Sequence, residues 1–131
     1  MQNKNPIRSF RDLEVYRDSY SACVLIHKQV LMKLPKAERF DLYDQLSRST
    51  KAIPRLIAEG YAKRHQKAGF QKYLDDAMAE SNETIVSIEQ IKDIYGIEID
   101  LCNQLIIIYD KLGRQLYRLA EAWNKFKSKS K

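Results

Sequence analysis

The chain has 131 residues, 44% of them hydrophobic, with four glycines and three prolines. That length allows one domain without a second core, and so few glycines and prolines exclude a turn-rich all-β chain and a disordered linker. The net charge of +6 hides a pattern of +3 over residues 1–35, +4 over 36–67, −6 over 68–100 and +5 over 101–131, so an acidic segment lies among basic ones and a polyanionic partner is plausible.

The first ten residues are polar, with no signal peptide. In the first segment Leu13, Tyr16, Tyr20, Cys23, His27, Val30 and Leu34 recur at spacings of three and four. This predicts a first helix over about residues 10–34, capped by Ser9 and stopped before Pro35. His27 lies on that stripe and reads as a core histidine. Leu42, Leu46, Ser49, Ile53, Leu56 and Gly60 form the stripe of a second helix, residues 36–63. Pro54 falls inside it, which costs about 3 kcal/mol in isolation, so a kink near Thr50 to Pro54 is expected rather than a break.

The polar run Lys63 to Ala68 reads as a connection. Phe70, Leu74, Ala77, Ser81, Thr84, Ile88, Ile91 and Tyr95 then alternate spacings of four and three, a heptad-like seam predicting a third helix over 68–95. Gly96 is a natural stop. Leu101, Leu105, Ile108, Leu112, Leu116, Leu119, Trp123 and Phe126 predict a fourth helix over 99–126, followed by a frayed basic tail, 127–131. Short connections make neighbouring helices antiparallel, so the predicted fold is an all-α, up-down-up-down four-helix bundle in a single domain. Ile57, Tyr61, Tyr73, Met78, Ile85, Ile107 and Tyr109 lie beside the main seams. They fit a broad core face or a surface for self-association.

Cys23 and Cys102 sit among apolar residues without CxxC spacing, as expected of reduced packing thiols in a cytoplasmic protein. No apolar run approaches the ~20 residues of a membrane span. No P-loop, dinucleotide-binding, nucleophile-elbow or zincin motif occurs. The two histidines, His27 and His65, are far apart and neither belongs to an ExxH pair. The expectation is therefore a non-enzyme without cofactor or metal. Asp76, Glu80 and Glu83 share one face of the third helix, with Asp75 beside them, and read as a solvated or ion-pairing face. Glu59 is expected to be partly buried with a partner.

The basic residues give the stronger signal. Arg48, Lys51 and Arg55 share a face roughly 140° from the apolar stripe of their helix. Lys63, Arg64, His65 and Lys67 carry the charge into the connection, Arg114 and Arg118 share a face of the fourth helix, and Lys125, Lys127, Lys129 and Lys131 end the chain. Such a surface would neutralise phosphates mainly without reading sequence. For any one residue a solvated face is the alternative. Residues Arg48, Lys51, Arg55, Lys63, Arg64, Lys67, Arg114, Arg118, Lys125 and Lys127 are the candidate nucleic-acid contacts.

The stretch from Leu34 to Gly60 reads LPKAERFDLYDQLSRSTKAIPRLIAEG. With Phe10, Leu13, Val15 and Tyr16 before it and Phe70, Tyr73, Leu74, Ala77, Glu80, Ser81 and Glu83 after it, the chain resembles the four-helix bundle proteins encoded in intervening sequences of bacterial 23S ribosomal RNA genes. The pair Pro35 and Glu38, the run Leu42, Gln45, Leu46 and Arg48, then Ile53-Pro54 and Ile57-Ala58-Glu59-Gly60 carry the likeness. Ala52 and Leu56 depart from it, standing where relatives commonly have Ser and Asn, so no role is transferred to them. The resemblance implies a ring-like homopentamer. It also extends to the accessory variability proteins of diversity-generating retroelements, basic bundles that bind nucleic acid and partner a reverse transcriptase.

The expected function is a homo-oligomeric accessory protein that binds structured RNA or an RNA–DNA hybrid, with a reverse transcriptase as a further partner. An adaptor whose ligand is another protein, docked by the acidic third helix and the tyrosines, is the alternative. A nuclease acting through Glu59, Asp76, Glu80 and Glu83 would require metal-dependent turnover.

Overall fold

The computed structural model describes residues 6–129, with side chains through Lys125. Phe126, Lys127, Lys129 and Lys131 therefore have side chains outside the described residues. Ser9 caps a single 3-10 turn, Phe10–Asp12, its hydroxyl accepting from the Arg11 N–H at 3.1 Å. Asp12 completes the box by accepting from the N–H groups of Arg8 and Ser9 at 2.8 and 3.0 Å. Those two bonds favour the carboxylate and hold its pKa below the ordinary value.

Leu13 is extended, so helix α1 runs only from Glu14 to Gln29 and is shorter than the predicted 10–34. Two 3-10 turns, Leu31–Lys33 and Lys36–Glu38, lead to α2, Leu42–Ala62. This helix starts later than the predicted residue 36. Pro35 is extended, and Glu38 reaches forward to accept from the Leu42 N–H at 3.3 Å, capping α2 from outside it. Pro54 is buried and α2 is continuous across it. One turn earlier, where the proline withholds an N–H, the Thr50 hydroxyl bonds back to the Leu46 carbonyl at 2.8 Å.

Helix α3, Gly69–Gln90, loosens into a π turn, Ile91–Tyr95, and stops at Gly96, whose φ of 62° suits glycine. Helix α4, Ile99–Lys129, continues helical beyond residue 126, the end expected from the sequence. Lys125, near its end, lies where a helix dipole favours positive charge.

Each helix packs on its neighbour in sequence, α1 also meets α4, and among the described residues neither diagonal pair is in contact. Cross-links set the directions. His27 meets Ser47, Ser49 meets Thr84, Ser81 meets the Tyr109 carbonyl, and Gln115 meets Glu14. His27 and Thr84, late in α1 and α3, meet Ser47 and Ser49 in the first half of α2, so these neighbours are antiparallel. No strand occurs among the described residues, and none of their helices is long and apolar enough to cross a membrane.

The α3 seam is buried along its length, with Tyr95 half-buried at its end. The α4 stripe is displaced. Tyr109 is buried and Ile108 is exposed, so the inner row is Cys102, Leu105, Tyr109, Leu112, Leu116 and Ala120. The α1 stripe is displaced in the same way. Val15, Ser19, Ala22 and Ile26 face the core, while Tyr20 is exposed and Tyr16, Cys23 and His27 are half-buried. Two of these buried residues, Ser19 and Ala22, are small. Tyrosines at the edge of the contact keep their hydroxyls near water.

Candidate nucleic-acid interface

The structure does not gather the ten candidate residues into one patch. Arg48, Lys51 and Arg55 lie on α2, whereas Arg114 and Arg118 lie on α4, diagonally across the bundle. Lys67 lies in the α2–α3 connection and Lys125 near the end of α4, both at the same end of the bundle. Lys127 has its side chain outside the described residues.

The cations also differ in what they already touch. Arg48 pairs with Asp44 at 3.3 Å and lines a groove of about 380 Å³ between α2 and α3 with Glu80 and Glu83. Lys63 donates to the Tyr73 hydroxyl at 2.7 Å and pairs with Glu59 at 3.5 Å. Glu59 is thus exposed and paired on its own helix, not partly buried as the sequence suggests: its neighbour Gly60 faces α3 and turns Glu59 outward. Arg64 donates to the Tyr61 carbonyl at 2.7 Å, its guanidinium 4.0 Å from the centre of the Tyr61 ring. Arg114 pairs with Asp110.

Lys51, Arg55, Lys67, Arg118 and Lys125 are exposed and make no hydrogen bond or ion pair within the described residues. Lys51 and Arg55 flank a groove of about 360 Å³ between α1 and α2, walled by Phe10, Tyr16, Tyr20 and Pro54. Lys67 borders a second groove, about 520 Å³, with His65, Phe70, Gln71 and Trp123. His65 is exposed there.

The other candidates for chemistry have structural surroundings. A backbone carbonyl only accepts, so His27 Nδ1 carries the proton it donates to the Cys23 carbonyl at 2.8 Å. In the neutral ring Nε2 then accepts from the Ser47 hydroxyl at 3.0 Å, tying α1 to α2. Burial raises the pKa of both thiols, Cys23 and Cys102, which are free. Glu80 is raised by burial first, then by its hydrogen bond to Glu83 and by Asp76. No group of three His, Cys, Asp or Glu among the described residues is arranged to hold a metal ion.

The apolar residues flanking the seams divide. Ile57, Tyr61 and Tyr109 are core, Tyr73, Met78 and Ile85 are half-buried, and Ile107 is 68% exposed. Ile107 shares the outer side of α3 and α4 with exposed Val86 and Tyr117. There a groove of about 470 Å³ is lined by Met78, Gly113 and Tyr117.

With this bundle in place, the sequence model of the 23S rRNA-intervening sequence protein family matches residues 11–118. The chain belongs to that family. No curated protein matches it. The family-like positions mostly pack or cap. Gln45 donates to Asp41 at 2.8 Å, Ile53, Pro54 and Ile57 are buried, and Gly60 brings α2 against α3.

The apolar period puts Tyr16 and Tyr20 on the core stripe, whereas the structure leaves Tyr20 exposed and Tyr16 half-buried. The signal was present in the small residues Ser19 and Ala22, which mark the buried face one position away.

Proposed function

We propose that this member of the 23S rRNA-intervening sequence protein family is a non-enzymatic, homo-oligomeric protein that binds structured RNA or an RNA–DNA hybrid by phosphate contacts. The observation that carries the reading is the set of exposed cations without a hydrogen-bond or ion-pair partner among the described residues, Lys51, Arg55, Lys67, Arg118 and Lys125. A cation already paired gains less from a phosphate, because it must give up its carboxylate; a free one releases only counterions. Arg48, Lys63, Arg64 and Arg114 accordingly act as supports in this reading.

One protomer offers only one or two such cations on any side. Assembly into a ring, a pentamer as the resemblance implies, repeats them and raises the effective concentration of each contact for a long polyanion. The exposed Val86, Ile107 and Tyr117 supply an apolar surface of the kind that assembly uses. The same surface favours the second reading, an adaptor that docks another protein. Likeness to accessory variability proteins adds a reverse transcriptase as a partner. The reading puts the protein in the reducing cytoplasm, which suits two free thiols.

Native mass spectrometry of the full chain with and without a folded RNA tests this. The expected result is a multiple of 15.4 kDa that takes up RNA at low salt and releases it at high salt. A species that binds no RNA at low salt, or binds it regardless of salt, contradicts the reading.

A further inference from the structure

Two of the grooves are lined by cations with no carboxylate among the described residues, the one at the bundle end with Arg64 and Lys67 and the one between α1 and α2. The α2–α3 groove contains Asp44, Glu80 and Glu83, and the α3–α4 groove contains Asp110. Among the described residues the charged side chains lining the α1–α2 groove are Lys51 and Arg55, whereas at the bundle end Arg64 already donates to the Tyr61 carbonyl and Phe70 is buried. The walls of the α1–α2 groove are largely aromatic and apolar. Phe10 meets Tyr16 edge-on with ring centres 4.8 Å apart, and Tyr16 and Tyr20 follow at 5.9 Å with their planes inclined by 35°. Pro54, which has no N–H, and Val24 complete the apolar lining. Tyr20 is 53% exposed at the open side. Neither the Tyr16 nor the Tyr20 hydroxyl has a hydrogen-bond partner among the described residues.

An exposed tyrosine that shares a groove with two free cations fits a flat π-system that carries negative charge beside it. We propose that this groove holds an unpaired nucleotide, its base stacked on Tyr20 beside Tyr16 and its flanking phosphates on Lys51 and Arg55. The inference rests on the nucleic-acid reading above and names the part of the nucleic acid that this site takes. A base inside a duplex has both faces occupied by its neighbours and cannot stack here, so the site selects loops, bulges or single strands. The volume of about 360 Å³ lies at the small end of the ~300–1,000 Å³ typical of ligand clefts, which suits one base rather than a helix of a partner protein. Because every base has a π-face, the site discriminates little among sequences.

The full chain is titrated with one sequence as single-stranded RNA, as single-stranded DNA and as an RNA duplex, each single strand carrying a 2-aminopurine whose fluorescence falls on stacking. Wild type is expected to quench the probe in the single strands, and the tighter of the two identifies the natural source. Tyr20→Leu keeps the apolar bulk and removes the π-face. It is expected to abolish quenching and weaken single-strand binding about 5- to 150-fold, the range a base–aromatic stack carries, with duplex binding unchanged. Lys51→Ala and Arg55→Ala should each lower the salt slope for the single strand by about 0.7.

Single-strand affinity and quenching that survive Tyr20→Leu overturn the proposal and leave the broader reading standing. Duplex binding without single-strand binding has the same consequence. Failure of every nucleic acid to bind overturns both. A loss of native assembly mass in Tyr20→Leu would assign the groove to a second copy of the chain and overturn it as well.

Discussion

Glu80 shows how far the charge of this surface is already committed. Burial comes first in raising its pKa above the ordinary value of 4.5, followed by Glu83 and Asp76, while Arg48 acts in the opposite direction. A carboxyl raised on folding binds more protons in the native state than in the unfolded state. Stability is therefore highest below the unfolded value and declines as pH rises through the folded one. Glu80→Gln keeps the shape and removes the charge. Its denaturation midpoint should exceed that of wild type at neutral pH, and the two should converge in acid. Parallel profiles with no convergence would show that Glu80 carries no such repulsion. The sequence placed Asp76, Glu80 and Glu83 on one face. It could not show that Arg48 faces them from α2, because that meeting depends on how two helices are rotated against each other.

At the scale of elements, the α2–α3 seam depends on Gly60. A Cβ there would lie 2.7 Å from Tyr73 Cβ and 3.1 Å from Phe70 Cδ1. Alanine gains about 1 kcal/mol in helix propensity over glycine, but forcing extra volume into a packed seam costs about 1–3 kcal/mol. Gly60→Ala should therefore lower the denaturant midpoint, with a net loss of up to ~2 kcal/mol. Gly113, with nothing within 4 Å of its Cβ position, supplies the reference: Gly113→Ala should raise the midpoint, with a gain in stability of about 0.5–1 kcal/mol. Equal effects at the two sites would mean that backbone propensity, not the close approach, sets the seam.

The helices were legible to the extent that their apolar period was unambiguous. On α3 the four-three alternation of Phe70 to Ile91 gave the buried row directly. On α1 two rows competed, one aromatic and one of small residues, and size misled: Ser19 and Ala22 pack inward because they are small. Tyr109 and Ile108 differ by one position on α4, and periodicity alone cannot choose between adjacent apolar residues. The start of α2 was hidden because its cap is Glu38, which lies outside the helix at the end of the preceding 3-10 turn.

For the whole molecule, net charge matters less than its distribution and pairing. Four of the candidate cations already hold protein partners, and the free ones divide between the α1–α2 side, the α4 side and one end of the bundle. The sequence made the cations visible and their shared helix faces plausible. Their partners come from residues on the same turn or on the next helix, as with Lys63 and Tyr73, and composition does not reveal these. A protomer with so divided a surface has few contacts to offer one stretch of phosphate backbone, so binding and assembly should be coupled.

The most direct test compares salt dependence of RNA affinity for two double variants of the full chain. Lys51→Ala with Arg55→Ala removes two free cations, and Arg48→Ala with Arg114→Ala removes two paired ones. Each phosphate contact contributes roughly 0.7–0.9 to the slope of log affinity against log salt. The free-pair variant should flatten the slope by about 1.4–1.8 per bound protomer and weaken binding at low salt, while the paired-residue variant stays close to wild type. Equal flattening by both variants, or a slope that neither changes, would contradict the claim that unpartnered cations carry the interaction.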